Sequence, residues 1–311
     1  MGVNACRRGD APESPSPGST PHSVERCALP PPAVGRPRCS FTVDVEDWYQ
    51  SSVDYDAPIS ERVLRNSDRM LRVLDEAGVK ATMFVQGRVA ETFPALLRDF
   101  LAAGHEVQSH GYSHRPLFRM DRPALRRELE YSRKTVEDAI GRRVTAFRAQ
   151  DFSILDENLW ALEMLAEEGF TIDSSIFPIR MKRYGIEGWE PGPHRVRFAS
   201  GASILEVPVV TWPLGGRRFP VAGGGYFRLL PGFILERALR SCLALNQPVI
   251  VYCHPYEFNP SEMSEFRGSV PAWRRVHQGL GRASFVERVR RLLKALPFGR
   301  FDEVLATWSL S

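Results

Sequence analysis

The stretch FTVDVEDWYQ, residues 41–50, sets Asp44, Glu46 and Asp47 within four positions directly after an apolar run. Carboxylates that close repel one another, and a buried one also loses hydration. A bound cation would stabilise the group, and an exposed loop would tolerate it. Side chains alternate faces along a strand, so Thr42, Asp44 and Glu46 share one side and Asp47 points elsewhere. A second cluster is SHGYSH, where His110 and His114 stand four apart. On a helical turn that spacing aims both imidazoles the same way. Two neutral imidazoles and one carboxylate make a three-ligand metal site with positions left for water and substrate. Many HxxxH pairs are chance neighbours on a helix, so the acids upstream carry half of this reading. His254 ends the apolar run PVIVYCH. It is either a satisfied core residue or a proton donor suited to neutral pH. Arg148, in FRAQDFS, ends another such run, where its guanidinium could pair with Asp44 and hold it ionised. An ordinary salt bridge would read the same.

These residues need a scaffold that brings run ends together. From residue 40 onward, short apolar runs alternate with amphipathic segments. CSFTVDV, ATMFVQG, VTAFRA, FTIDSS, ILEVPVVTWP and PVIVYCH read as strands. Residues 63–77, 94–103, 122–140, 156–168, 231–245 and 284–296 read as helices, several closed by glycine at Gly78, Gly104, Gly141 and Gly169. Repeated strand–helix alternation gives an α/β fold with a mostly parallel sheet, and about seven such units favour a barrel. In a parallel barrel the carboxyl ends of the strands are where chemistry is built. No GxGxxG follows the first strand and no Walker lysine motif occurs, so nucleotide-binding readings are weak. GGG at 223–225 marks a loop only.

The 311 residues are 43% hydrophobic and 25% charged, with a net charge of +4. That is a soluble globular composition without the basic block that nucleic-acid binding would need. The five cysteines are odd in number and lack CxxC spacing, which argues against a disulfide framework and for a reducing compartment. No leader-like apolar core and no run long enough to span a bilayer appears, so a cytoplasmic location is expected. Residues 1–38 are rich in Pro, Ser, Gly and Arg and are expected to be a disordered tail, with one domain over 39–311. His105 is expected to be structural, and His22, His194 and His277 carry no argument. Trp212, Tyr226 and Phe227 could stack on a sugar ring, although aromatics in such stretches more often fill cores.

In this order, VDVEDW, ATMFVQGRVAE, AGHEVQSHGYSHRPL, FRAQDFSI, DSSIFP, GGGYFRLLP and VYCHPYEF resemble the polysaccharide deacetylase (NodB-homology, carbohydrate esterase 4) superfamily. The resemblance runs from about Phe41 onward. It is nearest to the subgroup found with bacterial exopolysaccharide clusters of the exosortase system, which carries its own C-terminal extension. It implies a distorted (β/α)7-type barrel that removes N-acetyl groups from an amino-sugar glycan with a divalent metal, usually zinc. By motif, Asp44 would be the base, His110 and His114 metal ligands, Arg148 the residue orienting the base, and His254 the acid, with Asp173 supporting it. Val45 separates the two acids that most members have adjacent, so Glu46 becomes the carboxylate ligand, with Asp47 second. Gln150 and Asp151 replace the usual proline, which leaves a backbone oxyanion donor near Phe152 unassigned. The acid spacing also admits a cyclic or small amide as substrate, and a catalytically silent glycan-binding module is the third reading. A glycan substrate and a membrane-associated polysaccharide-synthesis partner follow from the resemblance.

Overall fold

A computed structural model describes residues 7–8, 24–29 and 39–306. Seven parallel strands form its centre: β1 (Cys39–Val45), β2 (Thr82–Val85), β3 (Glu106–Ser109), β4 (Ala146–Phe147), β5 (Ile172–Asp173), β6 (Ser203–Glu206) and β7 (Val249–Cys253). Their spatial order is β7-β1-β2-β3-β4-β5-β6. Every residue of β1 is buried, as expected of a central parallel strand covered on both faces. After β6 the chain crosses to the far edge: the Val207 N–H donates to the Asp173 carbonyl at 2.8 Å, and the Val210 N–H to the Ile250 carbonyl at 3.0 Å. The fold is thus α/β and of the expected distorted barrel type, with a mixed sheet whose strand ladder does not close among the described residues.

Six of the helices fall where periodicity placed them, and α1, α3, α7 and α9 are additional: α1 (Trp48–Ser52), α2 (Arg62–Glu76), α3 (Gly87–Thr92), α4 (Pro94–Ala102), α5 (Arg122–Ile140), α6 (Trp160–Glu167), α7 (Gly224–Leu229), α8 (Gly232–Ala244), α9 (Ala272–Gly279) and α10 (Arg282–Ala295). In α5, Asp121 caps the N-terminus by accepting the Ala124 N–H, and Gly141, left-handed at φ 65°, ends the helix. Its buried stripe runs Leu125, Leu129, Ser132, Val136 and Ala139, with Glu128 set into it.

Four expectations change. Within the stretch expected to lack order, Glu25–Ala28 forms a strand antiparallel to His194–Arg197, which in turn pairs antiparallel with β6. Other parts of that tail lie outside the described residues. His194 therefore begins a strand and His277 sits in α9. The run ILEVPVVTWP is not one strand: after β6, Pro208 has no N–H to give a ladder, and the chain turns into a hairpin of Thr211–Leu214 with Arg217–Pro220. Finally, Cys27 is disulfide-bonded, against the expectation of reduced cysteines, while Cys39, Cys242 and Cys253 are free and buried. No helix is long and apolar enough to cross a membrane among the described residues.

Candidate active site

The carboxyl ends of β1, β3, β4 and β7 deliver the chemistry-bearing side chains to one place. Alternation along β1 works as the sequence implied. Thr42 Oγ1 and Asp44 Oδ1 both accept from Arg148 Nη1, at 2.6 and 2.9 Å. Arg148 is fully buried at the end of β4. Its Nε donates to the Ser174 carbonyl at 3.2 Å, its Nη2 to Ser174 Oγ at 3.0 Å, and the guanidinium lies 4.2 Å over the Phe84 ring. A cation held from this many directions keeps a buried carboxylate in one orientation.

Glu46 follows on the same face. Its Oε1 accepts from Ser51 Oγ at 3.0 Å and from the Tyr256 hydroxyl at 3.2 Å. Its Oε2 faces His110 Nε2 at 3.5 Å and contacts His114 Nε2 closely. One ligand atom from each of Glu46, His110 and His114 lies within 4.8 Å of the others, and all three residues are buried. His110 Nδ1 sits 2.9 Å from the Arg148 carbonyl. A carbonyl only accepts, so Nδ1 carries the proton and Nε2 turns its lone pair toward Glu46. Burial opposes ionisation of Glu46, but the charge of His114 and its hydrogen bond hold it well below the usual carboxylate range. Burial likewise opposes a charge on His114, and Glu46 outweighs it and raises that imidazole. A buried N, N, O donor set with one tautomer already fixed fits a divalent metal, which would take the place of the His114 proton.

Asp47 is not part of this group. Its Oδ1 accepts the Tyr49 and Gln50 N–H groups at 2.8 and 3.3 Å, capping α1, and its Oδ2 accepts the Ser60 N–H at 2.9 Å and the Ser60 hydroxyl. Of the two acids that follow Val45, Glu46 and Asp47, geometry therefore brings Glu46 to the histidines.

The histidine pair does not ride on a helical turn. Residues 110–114 form a loop in which Gly111 and His114 are both left-handed, at φ 67° and 65°. Glu128 holds this loop from α5: its Oε1 accepts the Tyr112 N–H at 2.8 Å, the Ser113 N–H at 2.7 Å and Gln150 Nε2 at 3.0 Å. A Cβ on Gly111 would meet Gln150 Nε2 at 2.3 Å, so glycine is required there for space as well as for φ. Glu128 was not among the expected site residues, although an acid inside the apolar stripe of a helix is a sequence signal of a buried role.

His254 follows β7. Its Nε2 is 3.9 Å from Glu46 Oε1, and its ring stacks on Tyr256 at 4.7 Å. The supporting carboxylate is Glu257, whose Oε2 lies 3.1 Å from His254 Nδ1 and accepts the His254 N–H at 3.1 Å. Glu257 is itself paired with Arg228 Nε at 3.1 Å. Burial opposes a proton on His254, but the hydrogen bond to Glu257, with the charges of Glu46, Glu257 and Asp44, pushes it up to about 9. Asp173, expected to support His254, instead accepts from the Ser175 hydroxyl at 2.5 Å and the Ser175 N–H at 3.0 Å and is paired with Glu206. It thereby braces β4, since Ser175 Oγ accepts the Ala149 N–H at 2.8 Å.

Asp44, Glu46, His114 and His254 line a cavity of about 180 Å³ whose walls include Trp48, Phe152, Tyr184, Tyr252, Tyr256 and Arg183. The aromatics singled out from sequence do not line it. Phe227 is fully buried in the core and Trp212 packs against that core from the hairpin. Asp151 and Phe152 are consecutive left-handed residues, at φ 53° and 51°, on the cavity rim. His105 is structural as expected, its Nδ1 accepting the Ala81 N–H at 3.0 Å.

Residues 55–166 match the polysaccharide deacetylase family, and residues 174–306 match a domain of unknown function (DUF3473). The chain is 31% identical over 110 residues to a peptidoglycan deacetylase-like protein of Gibberella zeae, covering 35% of this chain and 32% of that one. It is also 31% identical over 110 residues to a peptidoglycan deacetylase of Helicobacter pylori, covering 35% of this chain and 36% of that one. The match thus spans about a third of the length of these curated relatives. Among solved structures, an allantoinase is similar in fold, with a TM-score of 0.60 at 14% identity, covering 90% of this chain and 94% of that chain.

Proposed function

Taking as premise the polysaccharide deacetylase family that these matches support, we propose that this chain removes N-acetyl groups from an amino-sugar glycan or its precursor. The supporting observation is convergence on one small cavity. The Asp44–Arg148 pair, the Glu46/His110/His114 group and the His254–Glu257 pair all meet there. Binding alone would need neither a braced buried base nor a second, separately charged imidazole.

Glu46, His110 and His114 would hold a divalent metal, zinc being the natural occupant of such a donor set. When bound, that ion supplies Lewis acidity and a more acidic water. The rest belongs to the chain. Asp44, fixed by Arg148, takes the proton from the attacking water. His254, kept protonated by Glu257, gives its proton to the departing nitrogen, without which an amide nitrogen leaves poorly. Tyr252, Tyr256 and Trp48 exclude water and offer apolar ring faces to a pyranose. The products are acetate and a free amino sugar. An exopolysaccharide precursor is the favoured glycan, on the strength of the motif order.

Acetate release from N-acetylglucosamine oligomers, run beside a panel of cyclic amides, tests this. The oligomers should be turned over, and Asp44→Asn should abolish turnover while retaining bound metal. Turnover of cyclic amides alone would move the substrate class. Bound metal without turnover of either would leave a binding module.

A further inference from the structure

The apolar surface that the catalytic cavity does not use is concentrated. Leu229, Phe233, Trp273, Val276 and Leu280 are 50–73% exposed. Trp273, Val276 and Leu280 follow one another at helical spacing along and just past α9, a helix with no buried residue. Leu229 ends α7 and Phe233 begins α8. The Arg228 guanidinium joins these pieces by donating to the Gln278 carbonyl at 2.6 Å and the Leu280 carbonyl at 3.2 Å. The result is an apolar ridge made by three segments, with nothing packed over it among the described residues. Scattered single apolar residues need no explanation, but a grouped set marks an interaction surface.

Charge selects the occupant. Residues 224–295, which include this ridge, hold eleven Lys and Arg against five Asp and Glu; Arg282 is buried and Arg228, Arg240, Arg290 and Arg291 are ion-paired, which leaves the others to charge the face. Exposed Arg237 stands one helical turn after Phe233, and Arg267 precedes α9. A second copy docking by this face would set like charges against one another. An anionic bilayer complements it, because apolar side chains enter the headgroup boundary while arginines stay at the phosphates. We propose that the α7–α8–α9 ridge seats the protein on an anionic phospholipid surface. The seat also has a consequence for access: Gln278 of α9 lines the catalytic cavity, and Arg274 of α9 donates to the Ser52 carbonyl beside it. Docking by α9 therefore brings the cavity mouth close to the lipid headgroups, where a lipid-carried or membrane-proximal glycan would present itself.

The test is flotation of the full chain with vesicles of phosphatidylcholine alone or mixed equally with phosphatidylglycerol. The protein should float with the anionic vesicles only, and high salt should release it. Trp273→Gln with Leu280→Gln should lower the bound fraction about tenfold or more. Arg237→Glu, which leaves the apolar ridge intact, should also weaken it. All of these residues are exposed, so circular dichroism should be unchanged. Three results would overturn the proposal: no binding to anionic vesicles, equal binding by the double variant, or a dimer seen by light scattering that the double variant abolishes.

Discussion

Replacing Glu257 with glutamine isolates the part of the site that the sequence did not announce. The amide keeps the size of the side chain and removes its charge. In the native protein His254 is pushed up to about 9, and its hydrogen bond to Glu257 is the leading cause of the rise, working against burial. Without it the imidazole falls toward its ordinary value of about 6.5, because burial is then opposed only by the charges of Glu46 and Asp44. At pH 8 the protonated fraction drops from about nine-tenths toward about 3%, a loss of up to roughly 30-fold in competent acid. The sign follows from the direction of the shift. A raised histidine is fully charged below its ordinary value and loses its proton as pH rises through about 9. The native rate should hold to about pH 9 and then fall, and the variant's fall should begin at lower pH, shifted toward the ordinary histidine value. The assay is kcat for acetate release from pH 5.5 to 10. Glu257 also neutralises Arg228, so the variant should lose about 3 kcal/mol of stability, the scale for breaking one side of a buried pair. For that reason the position of the alkaline limb carries the test, rather than activity at one pH. An alkaline limb within about half a unit of the native one would refute the role given to Glu257.

Three further outcomes follow from the same geometry. Gly111→Ala should lower metal affinity about 10- to 100-fold by isothermal titration, since a Cβ at φ 67° collides with Gln150 and shifts the loop carrying His114. His194 is buried and pushed down to about 4 by burial, with its Nδ1 donating to the Gly192 carbonyl at 2.8 Å. Its contribution is intact above about pH 6.5 and is lost as pH falls toward 4, so urea unfolding at pH 7 and 4.5 should differ by about 2 kcal/mol more in the native protein than in His194→Gln. Phe147→Ala should cost about 3–5 kcal/mol in the same unfolding experiment, because Phe147 is fully buried against Phe170 at 5.2 Å.

The parts of the site that could be read in advance are those set by short-range rules. Strand alternation alone put Asp44 and Glu46 on one face, and strand ends located Arg148, His110 and His254. The choice between Glu46 and Asp47 is made by the fold, because Asp47 is occupied both as the cap of α1 and by Ser60 thirteen positions away. HxxxH spacing fits a helical turn and a loop alike, and the left-handed residues Gly111 and His114 make this one a loop. The carboxylate beside His254 was expected to be Asp173 and is Glu257, for a similar reason. Both are acids near strand ends, and which one meets His254 depends on the single turn Pro255–Phe258, whose third residue, Glu257, reaches back to His254. Long-range pairing accounts for the rest: the strand Glu25–Ala28 joins a partner about 170 residues away, which no local pattern encodes.

The central claim is that Glu46, His110 and His114 grip one divalent ion. Metal content of the purified protein, measured by inductively coupled plasma mass spectrometry beside Glu46→Gln, His110→Ala and His114→Ala, tests it most directly. About one zinc per chain in the native protein, with near-complete loss in each variant, is the predicted result. A native protein that takes up no divalent metal, or variants that keep it, would contradict the account.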